Sequence, residues 1–174
     1  TDSTYRTLDA FASTLVNRPL DQLFVVDEME RLANTRSSFL HGHVDATNTA
    51  LIGYSMGGYG ALIAAGAGLT KASVNSSLSA PFSTLAIHQS NSASHNALID
   101  ERIKTAVVFA PWGMNVGAWD KQSLQGLRIP MFFIAGSDDD VSGYENGVRA
   151  IWEGASNTDR SLLTFDNANH TPGA

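Results

Sequence analysis

Several features that would point to other protein classes are absent from this sequence. It contains no cysteine, which excludes disulfide bonds and thiolate metal sites and leaves the redox compartment open. No hydrophobic run approaches the roughly 18 residues that a membrane-spanning helix needs. The 11 basic residues are scattered and are outnumbered by 17 acidic ones, for a net charge of −6. A basic surface for nucleic acid is therefore not predicted.

The beginning of the chain, TDSTYRTLDA, has neither the basic start nor the apolar segment of a signal peptide. It also has no initiator methionine. We therefore expect this chain to be part of a longer protein.

The residues that are present indicate one globular domain over 1–174. Apolar residues make up 43% of the chain and charged residues 16%, and apolar segments occur along its whole length. Short apolar runs predict four buried strands, at residues 48–54, 105–111, 129–136 and 161–167. Because the strands are apolar on both faces and alternate with helical patterns, we predict an α/β fold, with a mostly parallel sheet and helices on both faces.

Helices are predicted from the spacing of apolar residues between these strands. An apolar stripe starting at Leu8 marks a first helix, which Asn17-Arg18-Pro19 is expected to break, and a second helix is predicted from Pro19 to Asn34. Further helices are predicted at 57–68 and 144–152. The polar, serine-rich segment 70–94 is predicted to be irregular.

The segment Gly53-Tyr54-Ser55-Met56-Gly57 has the pattern G-x-S-x-G between a predicted strand and a predicted helix. In that context it is typical of a nucleophile elbow, a sharp turn that exposes the serine hydroxyl. Only residues without a Cβ are expected to fit at the two flanking glycines. The Met56 N–H, at the start of the helix, is predicted to donate to an oxyanion. The alternative interpretation is a glycine-rich turn without chemistry.

A serine nucleophile needs a base and an acid that orients the base. In a parallel sheet, both should follow the carboxyl ends of later strands. Asp138, Asp139 and Asp140 follow the third predicted strand, and His170 follows the fourth. Asp139 is the predicted acid, with Val141 as its anchor in the core, Asp138 as a turn former and Asp140 directed to solvent. Asp138 and Asp140 remain the alternatives.

The other four histidines compete poorly for a catalytic role. His41-x-His43 could bind a metal ion, but no third ligand is evident. His88 and His95 lie in the polar segment and are predicted to be exposed.

Three segments, GYSMGGYGAL, IPMFFIAGSDDDVSG and LLTFDNANH, resemble the α/β-hydrolases known as predicted dienelactone hydrolases. That group is related to platelet-activating-factor acetylhydrolases and, more distantly, to cutinase-like polyester hydrolases. The resemblance implies Ser55 as nucleophile, His170 as base, Asp139 as acid and the Met56 N–H as one oxyanion donor. It places Trp112 in the substrate cleft, although simple packing is an equal alternative, and we predict a substrate contact for Tyr54 as well.

The same resemblance implies a carboxylic-ester hydrolase that forms an acyl-enzyme and needs no metal or cofactor. A serine stands where dienelactone hydrolases proper have cysteine, which favours ordinary esters, small or polymeric, as substrates. The four predicted strands correspond to the last four of such a domain, so its N-terminal strands, a second oxyanion donor and a closing helix are expected to be missing here. An acyltransferase with the same triad and a non-catalytic binding module are the alternatives.

Overall fold

The computed structural model describes residues 8–76 and 84–171. Its four strands form a single, fully parallel sheet in the order β1-β2-β3-β4. They are β1 Thr49–Tyr54, β2 Ile103–Phe109, β3 Met131–Gly136 and β4 Arg160–Phe165. The α/β class, the number of strands and their parallel arrangement are as predicted. The largest difference in bounds is in β2, which begins and ends two residues before the predicted 105–111.

Five α-helices accompany the sheet in the described part of the chain. They are α1 Leu8–Asn34, α2 Met56–Ala64, α3 Lys71–Val74, α4 Ala93–Asn96 and α5 Arg149–Gly154. The helix predicted over 144–152 is kinked at Gly147, whose φ of −122° and ψ of −106° are not helical, and it is α-helical from Arg149 to Gly154. None of the described helices combines the length and the apolar character needed to cross a membrane.

The predicted break at Asn17-Arg18-Pro19 is wrong, because α1 runs through Pro19 without interruption. A proline inside a helix cannot donate to the carbonyl four residues earlier, and its ring crowds that turn. Here the next carbonyl, that of Val16, accepts a hydrogen bond of 2.8 Å from Nε2 of His88. A side chain from outside α1 thus donates to a carbonyl in the turn that precedes Pro19.

His88 and His95 are buried, with 0% and 3% of their surface exposed, so the prediction that they are exposed is wrong. Nε2 of His95 donates to the Gly66 carbonyl at 3.2 Å. Burial lowers the pKa of both imidazoles from the ordinary value, which favours their neutral form. Both histidines are structural donors that join the 84–96 region to α1 and to the end of α2.

The predicted irregular segment 70–94 contains regular structure on both sides of residues 77–83, which lie outside the described residues. Helix α3 and a 3₁₀ turn, Thr84–His88, are followed by the start of α4. Two short helices have conventional N-caps, since the side chain of Thr70 accepts from Ser73 N and that of Ser92 from His95 N. The prediction that this segment is irregular is therefore wrong for its described parts.

The hydrophobic core lies on one face of the sheet, between the strands and helices α1, α2 and α5. Its largest contributors include Leu15, Leu62, Val108, Phe133 and Ile151. Within the described residues no helix covers the opposite face, so the prediction of helices on both faces is not met. That face exposes apolar strand residues, with Ile52 73%, Leu163 41% and Phe165 40% exposed.

We expect the 174-residue chain to associate in solution, because apolar surface of this kind and an unpaired strand edge favour intermolecular contact. Ile52→Lys combined with Leu163→Lys should lower the apparent mass in sedimentation velocity. Phe39→Lys is the matched control, since Phe39 is 85% exposed but lies in the turns after α1. A wild-type chain that stays monomeric at all concentrations, or equal effects of both variants, would contradict this expectation.

Candidate functional site

Three side chains predicted to act together meet at the carboxyl edge of the sheet. Ser55 directly follows β1, Asp139 follows β3, and His170 lies in the loop after β4. His170 Nε2 lies 2.9 Å from Ser55 Oγ. On the other side of the ring, His170 Nδ1 lies 3.0 Å from each carboxylate oxygen of Asp139. The structure thus forms one continuous chain of hydrogen bonds from carboxylate to hydroxyl.

The backbone of Ser55 is held in an unusual conformation between β1 and α2. Its φ is 53° and its ψ is −116°, a combination that costs a residue with a Cβ on the order of 1–3 kcal/mol. The neighbouring strand stabilises it, since Ser55 N donates to the Phe109 carbonyl at 2.9 Å and Trp112 N donates to the Ser55 carbonyl at 3.1 Å. The turn directs the hydroxyl towards His170 and away from the core.

The close packing at this turn requires glycine at position 53 but not at position 57. A Cβ on Gly53 would lie 2.3 Å from the Gly57 carbonyl oxygen, whereas a Cβ on Gly57 would meet no atom within 4 Å. The prediction that both flanking positions need glycine is therefore wrong for Gly57. The second close approach belongs to Gly58, where a Cβ would lie 3.0 Å from Pro111. Sequence spacing alone could not locate this contact between α2 and the segment after β2.

Asp139 is the only one of the three neighbouring aspartates that contacts the imidazole in this structure. Its side chain is fully buried, while Asp138 and Asp140 are exposed. Its Oδ1 also accepts hydrogen bonds from Val141 N at 2.9 Å and from Ser142 N at 2.8 Å. The turn-forming bonds predicted for Asp138 are therefore made by Asp139, whose carboxylate both shapes the loop and faces His170.

Val141 is not the anchor that the sequence predicted, because 45% of its surface is exposed. The loop curls around the Asp139 carboxylate, so alternation along an extended strand does not apply to it. The buried residue is Ser142, which is 0% exposed and whose Oγ donates to the Ala110 carbonyl at 2.8 Å. Sequence reasoning missed this residue, since a serine carries no hydrophobic signal.

The loop that carries His170 packs directly on the end of β3. A Cβ on Gly136 would lie 2.1 Å from the Ala168 carbonyl oxygen, so glycine is needed for this approach. The Ala168 carbonyl in turn accepts from Asp138 N at 2.9 Å. Oδ1 of Asn169 accepts from the backbone N–H groups of His170 and Asp140. The loops of the acid and the imidazole are thus joined by one backbone hydrogen bond and by the side chain of Asn169.

Met56 is the first residue of α2, directly after Ser55. The first N–H groups of a helix have no intrahelical acceptor and lie at the positive end of the helix dipole. The Met56 N–H therefore lies at the N-terminus of α2 beside Ser55, and its donation to an oxyanion stays a prediction.

The two predicted substrate contacts differ in their surroundings. Trp112 is half-buried, and its ring packs edge-on against Phe11, with centroids 5.6 Å apart, and against Tyr59 at 6.1 Å. These contacts support the packing alternative for Trp112. Tyr54 is 46% exposed, and its ring centroid lies 5.2 Å from that of His170. Tyr54 also borders a groove of about 610 Å³ between α1 and the outer edge of β1.

The candidate metal ligands His41 and His43 are exposed in the turns after α1. His41 Nδ1 lies 2.9 Å from the Ala33 carbonyl oxygen. Across residues 8–76 and 84–171, no three histidine, aspartate or glutamate side chains are grouped so that they could hold a metal ion.

Comparisons of the chain with models of known protein families and with curated proteins give no match.

Proposed function

We propose that this protein is a serine hydrolase of the α/β-hydrolase fold that cleaves carboxylic esters through an acyl-enzyme on Ser55. The observation that carries the proposal is the hydrogen-bonded chain Asp139–His170–Ser55, with its serine on a strained turn between β1 and α2. Strain of this kind persists where the surrounding structure holds it, and it clusters at active sites. An ordinary glycine-rich turn requires neither the hydrogen-bonded chain nor the strained serine backbone.

The two ring nitrogens of His170 have separate roles in this proposal. Nδ1–H donates to Asp139, which holds the ring in the tautomer whose Nε2 carries a lone pair. The Ser55 hydroxyl donates to that lone pair across 2.9 Å. Because the Asp139 side chain is buried and also accepts two backbone N–H bonds, it is a fixed acceptor for the ring.

In the first half of the reaction, His170 Nε2 takes the proton from Ser55 Oγ as the oxygen attacks the ester carbonyl carbon. The Met56 N–H donates to the oxygen that becomes negative in the tetrahedral intermediate. The imidazolium then gives its proton to the departing alcohol as the C–O bond breaks, and the acyl group remains on Ser55.

In the second half, His170 removes a proton from a water molecule, whose oxygen attacks the acyl carbon. The second tetrahedral intermediate collapses, Ser55 Oγ takes back the proton from His170, and the carboxylic acid leaves. If an added alcohol replaces water in this step, the product is a new ester, so product analysis with alcohol present separates a hydrolase from an acyltransferase.

We expect a fluorophosphonate to label the protein on Ser55, because only an activated serine attacks phosphorus rapidly under mild conditions. Trypsin cleavage after Arg36 and Lys71 places Ser55 on peptide 37–71, separate from the serines of the 73–94 region, and fragmentation of that peptide distinguishes Ser55 from Ser37 and Ser38. Ser94→Ala is the matched control and should leave labelling unchanged. No adduct on the folded protein, or an adduct on another serine, would refute the proposed function.

A further inference from the structure

Ser142 makes two hydrogen bonds that join two different parts of the site. Its N–H donates to Asp139 Oδ1 at 2.8 Å, and its Oγ donates to the Ala110 carbonyl at 2.8 Å. The residue is 0% exposed, so neither bond competes with solvent. One short residue thus contacts the acid of the proposed triad and a turn that follows a different strand.

The turn at Ala110 is itself strained and buried. Ala110 is the first residue after β2 and has a φ of 42°, which a residue with a Cβ adopts only when it is held there. Its N–H donates to the Ile134 carbonyl of β3 at 2.8 Å. Ser142 Oγ donates to the carbonyl of Ala110, so both backbone polar groups of this residue are hydrogen-bonded. Both partners belong to β3 or to the Asp139 loop that follows it.

Residues on both sides of Ala110 also form hydrogen bonds with the backbone of Ser55. The residue before Ala110, Phe109, accepts from Ser55 N at 2.9 Å, and Trp112, two residues after it, donates to the Ser55 carbonyl at 3.1 Å. The Ala110 turn therefore lies between the backbone of the serine and the loop of the acid. Ser142 connects that turn to the acid by its side chain.

We propose that Ser142 is a positioning residue that sets the acid loop relative to the nucleophile turn, and so aligns His170 between Asp139 and Ser55. This inference rests on the proposed function. It explains why the small polar residue Ser142 is buried, next to Val141, for which the sequence predicted an anchoring role. A hydrophobic side chain at position 142 would fill the same space, but the Ala110 carbonyl would lose this donor. The Ala110 turn would then have no side-chain hydrogen bond to the loop of the acid.

Ser142→Ala is expected to lower kcat for a soluble p-nitrophenyl ester by roughly 10- to 100-fold, since small misplacements of reacting groups have effects of this order. The KM should change by less than about twofold, because Ser142 is buried and does not reach substrate. Ser142→Cys, which keeps the size of the side chain with a weaker donor, should give an intermediate kcat.

Ser123→Ala is the matched control. Ser123 is also buried, at 2% exposure; its Oγ donates to the Asp120 carbonyl at 3.1 Å and accepts from Asp120 N at 2.9 Å, and neither bond involves a triad residue. All variants are assayed below their unfolding transitions, measured by circular dichroism. Ser123→Ala should lose stability as Ser142→Ala does and should keep the wild-type kcat.

The outcomes separate this inference from the proposed function. Equal kcat for Ser142→Ala and Ser123→Ala, or a loss confined to KM, would overturn the positioning role while labelling of wild-type Ser55 still supports the hydrolase. If Ser142→Ala does not fold, Ser142→Cys decides, and a wild-type kcat in that variant overturns the role. A wild-type protein that neither labels nor hydrolyses esters would instead overturn the proposed function.

Discussion

Replacing Ser55 by alanine is expected to lower kcat for ester hydrolysis by on the order of 10⁶-fold, the scale of loss when a triad serine is removed. Ser55 Oγ is the atom that bonds to the acyl carbon. The imidazole of His170 cannot replace it, because His170 Nε2 is held within hydrogen-bond distance of Ser55 Oγ, where it acts on that oxygen. Alanine keeps the Cβ, so the strained turn and its hydrogen bonds to Phe109 and Trp112 should persist. Activity is measured with p-nitrophenyl acetate and with active-site titration of the wild-type protein.

Ser55→Gly is the second variant of this experiment. Because Ser55 has a φ of 53°, glycine should adopt the turn without strain, and the free energy of unfolding should exceed that of Ser55→Ala by about 1 kcal/mol. Both variants should be equally inactive, which separates the loss of the hydroxyl from any change in folding. Turnover above about 1% of wild type in Ser55→Ala, once contamination by wild-type protein is excluded, would argue against an acyl-enzyme on this residue.

The four strands and the edge at which the site forms could be predicted because buried parallel strands read as short apolar runs. In such a sheet the residues after each strand meet at the same edge. That argument brings Ser55, the aspartates after β3 and His170 together without any knowledge of the loops. The pattern G-x-S-x-G then distinguishes this serine from the others.

What could not be predicted depends on contacts between distant parts of the chain. Local helix rules predict a break at Pro19, but α1 continues through it, and the hydrogen bond that the Val16 carbonyl accepts comes from His88, 72 residues away. The choice between Gly57 and Gly58 is decided by the position of Pro111. Polar residues such as His88 and His95 are buried because backbone carbonyls are available to them, which composition does not reveal.

Asp139→Asn is expected to lower kcat/KM for ester hydrolysis at pH 7 by about 10²–10⁴-fold, the range for loss of the orienting carboxylate in a serine triad. The carboxylate has two effects that an amide lacks: it accepts Nδ1–H of His170 in the productive tautomer, and it stabilises the imidazolium by charge. Both are strong here because the Asp139 side chain is fully buried. An asparagine that turns its NH₂ towards Nδ1 would select the wrong tautomer.

Asp138→Asn and Asp140→Asn are the matched controls, because they make the same chemical change within one residue of the site. Both carboxylates are exposed, and neither contacts the imidazole, so their charges act on His170 only through solvent-screened interactions. Each should change kcat/KM by less than about tenfold, since screened charges at this exposure have weak effects. Near-normal activity in Asp139→Asn, together with collapse in either control, would move the acid to that neighbour. It would also require the loop around Ser142 to rearrange, because both backbone N–H groups that shape the loop donate to Asp139.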